Sequence, residues 1–409
     1  MSKPKKHLLL ISQVYVPDPA AVGQYMADVA EEMGAQGWKV TVFTSNRGYD
    51  DPSQEFPATE IANGVTIKRL PFSSFGKKSI FTRLVGQSIF CLQAILRGLF
   101  LPKVSSILVT TSPPIGGMVG WFISLIRRIP FNFWVMDLNP DQAIAQGVVG
   151  PKSLPARIFD FFNRRLLKRA SRVIALDEFM AANVRKKTPN LDDKILVIPP
   201  WPLEQALEII PRDKNPFLKK HQLEDKFVLM YSGNHSPVHP LDTFLGAAKA
   251  LANDERFVFL FIGGGKGKQA VDDFIASKEP GHIVSLPYQP LDQIKYSLSA
   301  ADIHLVSMGA PMIGCVHPCK FYGSMLLAKP ILYLGPPDSH IGKIIEETDA
   351  GWQIDHGETA KMIEVIKTAS QDPALVSIGE KGRQKILSSL SKQQLCNKFC
   401  QAISPDPFE

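Results

Sequence analysis

Short apolar runs that alternate with helical patterns constrain this fold more than any other feature of the sequence. Leu8–Gln13 opens the series, and a helical pattern at Gln24–Gln36 follows it and ends at Gly37. Strands of near-continuous apolar character are typical of parallel sheets that helices cover on both faces. The alternation therefore predicts a doubly wound α/β chain, in which ligands bind at the carboxyl ends of the strands.

Eleven further strands are predicted along the chain. They are Val40–Thr44, Gly64–Arg69, Ser106–Thr110, Phe131–Met136, Val173–Leu176, Ile195–Ile198, Phe227–Ser232, Phe257–Ile262, Ile283–Leu286, Ile303–Val306 and Ile331–Leu334. At 409 residues the chain is too long for one ordinary core, so two domains are expected. Pro199-Pro200-Trp201-Pro202 marks the end of the first. The expected domains are residues 1–202 and 203–385, followed by a C-terminal helix within 386–409.

The charge balance narrows the classes of partner. The net charge is +7 and the pI about 9.0, with many of the Lys and Arg residues in the first half. A basic half suits nucleic acid, an anionic membrane or a phosphorylated substrate. The sequence has no zinc finger, no aromatic RNA-binding motif and no basic low-complexity arm. Nucleic acid is therefore not an expected partner.

The cysteines and the N-terminus indicate a cytoplasmic protein. The five cysteines are odd in number, and the apolar run His7–Val16 has neither the length nor the cleavage site of a secretory signal. We therefore expect reduced thiols and read this run as a first strand. The Cys315/Cys319 and Cys396/Cys400 pairs do not have the clustered spacing of structural zinc sites, so no metal is expected.

Two apolar stretches raise the question of a membrane. Val104–Ile126 carries no charge, but its Ser, Thr, Pro and Gly residues favour a buried strand, a turn and a helix at Gly116–Ile126. Ile80–Leu101 is predicted as a helix that mixes large apolar side chains with cations. Such a surface can lie on anionic lipid, although a helix packed on the sheet with its cations in solvent has the same pattern. The residues considered for membrane contact are Phe72, Phe75, Lys77, Lys78, Ile80, Phe81, Arg83, Leu84, Phe90, Arg97, Phe100, Lys103, Trp121, Arg127, Arg128 and Phe131.

The stretch from Gly314 to Pro336 predicts an anion site. It contains His317-Pro318-Cys319-Lys320, then a short helix at Phe321–Leu327 and a buried strand. A loop that enters a helix presents free N–H groups and the positive end of the helix dipole, and Lys320 adds a full positive charge. This arrangement suits a phosphate or diphosphate. An ordinary loop–helix–strand unit with a surface lysine is an equally good interpretation of these residues alone.

Glycine-bearing turns follow two other strands of the second half. Gly233-Asn234 follows the first of them, and Gly263-Gly264-Gly265 follows the second. Glycine lets a backbone approach a ligand closely, and strand ends of one parallel sheet meet at one edge. The second turn is neither a Walker P-loop nor G-x-G-x-x-G, so each turn is a weak signal and only their order is informative.

The first half has its own polar strand ends. Asp137-Leu138-Asn139-Pro140-Asp141 follows one predicted strand, and Ser112-Pro113-Pro114 follows another. An aspartate at a strand end can do acid–base work. A turn or N-cap aspartate is the more frequent reading of this residue type.

The order of these motifs resembles the GT-B glycosyltransferases of family 4, in particular a bacterial branch that adds sugars to lipid-linked polysaccharide precursors. The motifs that carry the resemblance are Ser112-Pro113-Pro114, Asp137-Leu138-Asn139-Pro140-Asp141, Tyr231-Ser232-Gly233-Asn234, Ile262-Gly263-Gly264-Gly265 and Pro318-Cys319-Lys320-Phe321-Tyr322. The resemblance covers nearly the whole chain. It implies two Rossmann-like domains that face each other across a cleft, with the last helix crossing back to the N-terminal domain.

The resemblance also implies a reaction. The C-terminal domain would bind a nucleotide-sugar, expected to be UDP-linked, and the N-terminal domain would receive a lipid-linked saccharide. Transfer would retain the anomeric configuration without a metal, and the protein would lie on the inner face of the plasma membrane. Asp137 is the catalytic candidate. The donor-binding candidates are Gly233, Asn234, His239, Gly264, Tyr288, His317, Pro318, Lys320 and Phe321, and the acceptor-side candidates are Gly23, Ser112 and Asp141.

This chain departs from the family pattern at four positions. Many members carry two glutamates eight positions apart, where Cys315 and Gly323 stand here, and Arg and Lys where Asn234 and His239 stand. Lys320 is therefore expected to bear more of the diphosphate charge. Two other classes stay open at this point, a non-catalytic nucleotide-sugar-binding or partner subunit and a GT-B nucleotide-sugar epimerase.

Overall fold

A computed structural model describes residues 6–18, 20–48, 51–75, 80–203, 208–277 and 281–404. Within these residues the chain divides into two compact units. The first unit contains the residues up to Pro200, the short segment Gly314–His317 and the residues from Gln393 onward. The second unit contains Trp201–Ile313 and Pro318–Lys392.

The first unit is built on an eight-stranded sheet. Its strands are β1 His7–Ile11, β2 Lys39–Ser45, β3 Thr59–Ala62, β4 Val65–Leu70, β5 Ser106–Thr110, β6 Phe131–Val135, β7 Arg172–Ala175 and β8 Ile195–Val197. Their order is β3-β4-β2-β1-β5-β6-β7-β8, and all pairs are parallel except β3 with β4. Its helices are α1 Ala21–Ala35, α2 Ile80–Phe100, α3 Gly117–Arg127, α4 Asp141–Ala145, α5 Leu154–Arg169 and α6 Glu178–Lys187.

Alternating residues of β6 show how helices cover both faces of this sheet. Phe133 packs against Gly117 of α3, where an added Cβ would lie 2.9 Å from the ring. Trp134 points to the other face, where its ring lies 4.1 Å from that of Phe399 and 6.3 Å from that of Tyr25 in α1. Successive residues of a strand face opposite sides, so both faces are buried and the near-continuous apolar pattern follows.

The second unit is built on a six-stranded, fully parallel sheet. Its strands are β9 Phe227–Ser232, β10 Phe257–Ile262, β11 Ile283–Leu286, β12 Ile303–Ser307, β13 Ile331–Leu334 and β14 Gly351–Ile354, in the order β11-β10-β9-β12-β13-β14. The remaining helices are α7 Pro216–Lys220, α8 Asp242–Ala250, α9 Gln269–Ala276, α10 Ile294–Ser299, α11 Lys320–Leu326, α12 His340–Thr348, α13 Thr359–Gln371, α14 Leu375–Ser389 and α15 Lys392–Ile403. In β9, Leu229 packs with Phe244 of α8 on one face and Met230 with Leu218 of α7 on the other.

The last helix, α15, packs on the sheet of the first unit. Phe399 is fully buried against Trp134, and the Asn132 side chain of β6 donates a hydrogen bond of 3.3 Å to the Ile403 carbonyl. Cys396 and Cys400 are buried free thiols on this helix. The C-terminal residues thus complete the core of the first unit.

The predicted doubly wound α/β class is confirmed, and some elements were missed. Ser106–Thr110 is a buried strand, followed by α3, as expected for the uncharged stretch. The edge strand β3 was not predicted because three of its four side chains are exposed, and β14 was missed because it begins with a glycine. No helix in the described ranges has the length and apolar character needed to cross a membrane.

Candidate active site

The glycine turns after β9 and β10 extend the sheet beyond the strands. The Gly233 amide donates to the Ile262 carbonyl at 2.9 Å, and the Gly263 amide donates to the Leu286 carbonyl at the same distance. Gly263 has φ +127°, and an added Cβ would lie 2.1 Å from the Gly233 carbonyl oxygen. Only glycine fits here, because any other residue would have to move the neighbouring backbone. The two predicted turns therefore lie side by side at the carboxyl edge of the sheet.

Lys320, the first residue of α11, reaches the turn after β9. Its Nζ lies 3.4 Å from the Asn234 carbonyl oxygen and 3.7 Å from the centre of the Tyr231 ring. A Cβ added to Gly233 would lie 3.8 Å from the same ammonium. The side chain is only partly covered, yet desolvation lowers the pKa of Lys320 to about 7. The structure therefore brings Lys320, Gly233 and Asn234 together, as the sequence predicted.

Two histidines beside this lysine are neutral. Burial, followed by the Lys320 charge, lowers the pKa of His235 to about 4 and that of His239 to about 3. His235 Nδ1 lies 3.0 Å from the Gly233 carbonyl oxygen. His235 Nε2 and His239 Nδ1 are buried and have no hydrogen-bond partner among the described residues. His235 was not among the predicted site residues. Its position directly after the glycine turn was the sequence feature that could have indicated it.

Tyr288 and Lys268 support the second glycine turn. A Cβ added to Gly264 would lie 3.2 Å from the Tyr288 ring, whose hydroxyl is 3.4 Å from the Gly264 carbonyl. The Lys268 ammonium donates to the carbonyls of Gly263 and Leu286, each at 2.7 Å. Lys268 was not among the predicted site residues, yet its contacts hold the turn in place. Tyr288 is more than half exposed, so its ring is open to a ligand.

Three candidates near Lys320 have buried side chains. Phe321 is fully buried, and its ring centre lies 4.0 Å from that of Tyr322. Pro318 is also buried. His317 lies in the first unit, where Nδ1 donates to the Asp177 carboxylate at 2.7 Å. Donor contacts by these three residues stay predictions.

Asp137 follows β6, where strand ends of the first unit meet. Its backbone amide donates to Thr111 Oγ1 at 3.1 Å, and the Ser112 carbonyl accepts from the Gln13 amide at 2.7 Å. Burial raises the pKa of Asp137 to about 6. Gly23 lies in α1, and an added Cβ would be 3.0 Å from the Tyr15 Cα, so this glycine permits close packing.

Asp141 has a different environment from Asp137. Its carboxylate lies 2.8 Å from Lys187 Nζ, and the same ammonium lies 2.5 Å from Asp160. Lys187 thus bridges two carboxylates at the start of α4 and on α5. This ion-pair network gives Asp141 a structural role. Contact of Asp141 with an acceptor stays a prediction. The described residues contain no group of three or more His, Cys, Asp or Glu that could hold a metal ion.

Comparisons with known proteins identify the class. Residues 20–201 match the family described as "Glycosyl transferase 4-like domain". A Pseudomonas aeruginosa protein named as a glycosyltransferase, WbjE, is 25% identical over 66% of this chain and 68% of its own length. WcaI of Escherichia coli K12, named for colanic acid biosynthesis as a glycosyl transferase, is 20% identical over 81% of this chain and 84% of its own.

A solved structure shares the fold of this chain. The crystal structure of Anabaena HepE in complex with UDP and glucose superposes with a TM-score of 0.70, covering 96% of this chain and 98% of that chain at 14% identity. The chain is therefore a glycosyltransferase with the GT-B fold. More particularly, residues 20–201 are similar to the family described as a glycosyl transferase 4-like domain.

Proposed function

We propose that this enzyme moves a sugar from a nucleotide-diphosphate donor, most simply a UDP-sugar, to a lipid-linked saccharide in cell-surface polysaccharide synthesis. One observation carries the donor assignment. Lys320 places an ammonium beside the Gly233–Asn234 turn, while the neighbouring His235 and His239 are neutral. A diphosphate at this sheet edge would therefore meet the Lys320 ammonium and open glycine backbone. The UDP and glucose named for HepE and the colanic acid biosynthesis named for WcaI support the substrate classes.

The proposed chemistry assigns a task to each unit. The bond from the anomeric carbon to the diphosphate oxygen breaks as the acceptor hydroxyl oxygen bonds to that carbon from the same face. Protonated Lys320 and backbone N–H groups stabilise the negative charge on the leaving diphosphate, in place of a divalent ion. Asp137 orients the acceptor hydroxyl, and its raised pKa lets the carboxylate take up the hydroxyl proton near neutrality. We propose retention of the anomeric configuration on the family resemblance alone.

We also propose that the first unit binds an anionic membrane surface, where a lipid-linked acceptor would reside. Between Glu60 and Asp137 the sequence contains no acidic residue. The exposed side of α2 and α3 carries large apolar side chains among cations: Phe81, Arg83, Leu84, Leu92, Leu96, Arg97, Phe100, Leu125, Ile126 and Arg128. Apolar side chains can insert shallowly while each cation adds about 1 kcal/mol at an anionic surface.

The structure revises the residues considered for this surface. Phe90 and Phe131 are fully buried in the core, so they are not available to lipid, and that part of the prediction is wrong. Phe72 is exposed and remains a candidate. Lys77 and Lys78 lie outside the described residues, and so does the side chain of Ile80.

A transfer assay tests the proposed function. Purified enzyme is screened against nucleotide-sugars by thermal shift, and each stabilising donor is then incubated with lipid-linked saccharides, with and without EDTA. We expect a UDP-sugar to bind and its sugar to reach the lipid fraction with release of UDP in both conditions. Conversion of the donor without acceptor would instead indicate an epimerase. Binding of the donor with neither transfer to any acceptor tried nor conversion of the donor would contradict the proposed reaction.

A further inference from the structure

Residues 314–317, which end three positions before Lys320, pack in the first unit and are here called the 314–317 segment. Gly314 has φ +70°, and an added Cβ would lie 2.6 Å from the Phe179 carbonyl oxygen in α6. The Cys315 carbonyl accepts a hydrogen bond of 2.7 Å from the Leu138 amide. The segment is therefore held both against α6 and against the chain that leaves β6.

A buried Asp–His pair anchors the end of this segment. His317 Nδ1 donates to Asp177 Oδ2 at 2.7 Å, and the other carboxylate oxygen accepts from the Met180 amide at 2.7 Å. The second bond caps α6, so Asp177 uses both oxygens. The two side chains are 0% and 4% exposed, so water cannot replace either bond without movement of the protein. Hydrogen bonds to a buried carboxylate are strong and specific in direction.

The anchored segment reaches the catalytic candidate through one peptide unit. Leu138, which donates to Cys315, directly follows Asp137. The Asp137 amide in turn donates to Thr111 at 3.1 Å. The peptide units on both sides of the Asp137 Cα are therefore fixed, one by the end of β5 and one by the 314–317 segment. Because both peptide units are held, the direction in which the Asp137 side chain leaves the backbone is fixed as well.

We propose that His317 and Asp177 are positioning residues for Asp137, acting through the 314–317 segment and the Leu138 amide. This inference rests on the proposed function, in which Asp137 orients the acceptor. It gives the His-Pro-Cys-Lys motif two tasks. His317 fixes the backbone beside Asp137, which orients the acceptor. Lys320, three residues later, binds the diphosphate of the donor.

The charged groups around the segment come from two helices. Asp141 of α4 and Lys187 of α6 act on the Cys315 thiol in opposite directions, while burial is the main cause of its raised pKa of about 11. Lys187 is itself paired with Asp141 and Asp160. At the Cys315 thiol the effect of Asp141 is the larger of the two. Burial is the cause of the raised pKa of Asp137, so loss of the anchor would act on Asp137 by admitting water, which moves its pKa down toward the ordinary range.

Two amide substitutions separate positioning from other roles. His317→Asn retains an N–H donor near the place of Nδ1, whereas His317→Gln places its donor nearer that of Nε2 and loses the bond to Asp177. His7→Gln is the matched control. His7 is a buried histidine of the same unit, bonded to Thr41 and Pro102, but it lies at the amino end of β1 and so at the opposite edge of the sheet.

The full-length variants are compared by steady-state kinetics and by ¹³C NMR titration of the Asp137 carboxyl, which is assigned from Asp137→Asn. We expect His317→Gln to lower kcat about 10- to 100-fold with an unchanged donor KM, and to lower the pKa of Asp137. His317→Asn should retain most of both values, and His7→Gln all of kcat.

Three outcomes would overturn the positioning role, and a fourth would test the proposed function. A raised donor KM with unchanged kcat in His317→Gln would place His317 on the donor and overturn the positioning role. Equal effects of Asn and Gln, or an Asp137 pKa unmoved by either, would do the same. If the wild type transfers no sugar, the proposed function fails, while the NMR titration still decides whether this pair sets the environment of Asp137.

Discussion

Replacement of Lys320 by methionine tests the donor site most directly. The substitution keeps the length and the apolar stem of the side chain and removes only the ammonium. That ammonium lies beside the Asn234 carbonyl and over the Tyr231 ring, so the charge is already held where we propose the diphosphate to bind. A charge-assisted hydrogen bond contributes about 1.5–3 kcal/mol, so the Kd for UDP should rise about 10- to 150-fold at pH 6.

The lowered pKa adds a pH signature with a defined sign. With a pKa of about 7, Lys320 is mostly protonated at pH 6 and mostly neutral at pH 8.5. An anion binds the protonated form, so wild-type affinity should fall up to about tenfold for each pH unit above 7. A phosphate group with a second pKa of about 6 is already ionised above pH 7, so a change in phosphate charge does not cause the fall. Lys320→Met should show no such fall between pH 7 and 9.

Isothermal titration with UDP at pH 6, 7, 8 and 9 measures both effects. Lys329→Met is the matched control. Lys329 is also a partly covered lysine whose pKa burial lowers, but it precedes β13 and lies at the amino edge of the same sheet. We expect wild-type affinity and pH dependence in this control. An unchanged Kd in folded Lys320→Met at pH 6 would remove this lysine from the donor site.

Three further outcomes follow from the same contacts. Asp137→Asn should lower kcat at least about tenfold with little change in UDP affinity, and an unchanged rate would leave Asp137 as a structural turn residue. Arg69→Met should reduce the free energy of unfolding by about 1.5–3 kcal/mol, because the guanidinium is buried, whereas Arg47→Met at an exposed ion pair should cost less than about 1 kcal/mol in urea titrations. Arg97→Glu combined with Phe100→Ser should weaken sedimentation with phosphatidylglycerol vesicles, and wild-type failure to bind them at low salt would defeat the membrane proposal.

Most of the fold could be predicted because it depends on patterns that are local in sequence. Buried parallel strands require runs of apolar residues, and β9, β10, β11 and β13 begin and end where those runs do. Elements with exposed or mixed side chains were missed for the same reason. The exposed edge strand β3 carries no alternation that marks it.

The site was partly predictable, since strand-end loops of one parallel sheet gather at one edge by topology. Topology alone predicts that the Gly233 and Gly263 turns lie near Lys320, and the contacts of Lys320 agree with this. It failed to foresee the partner of His317, because a pairing with Asp177 across 140 positions depends on tertiary packing and leaves no local signal. Lys268 was missed similarly, because its two carbonyl contacts exist only once the turn has folded.

Cys315 stands where the family resemblance leads us to expect a glutamate, and the first unit offers a physical explanation for it. Cys315 is buried, its carbonyl holds the Leu138 amide, and the nearby Asp141 charge further raises the pKa of its thiol. A carboxylate at this position would be desolvated and repelled by Asp141, unless Lys187 released one of its present partners. Cysteine avoids that conflict and leaves the segment to its backbone bond and to His317. The anchoring of the segment and the absence of the glutamate are therefore mutually consistent, and Lys320 remains the residue that we propose to meet the charge of the donor.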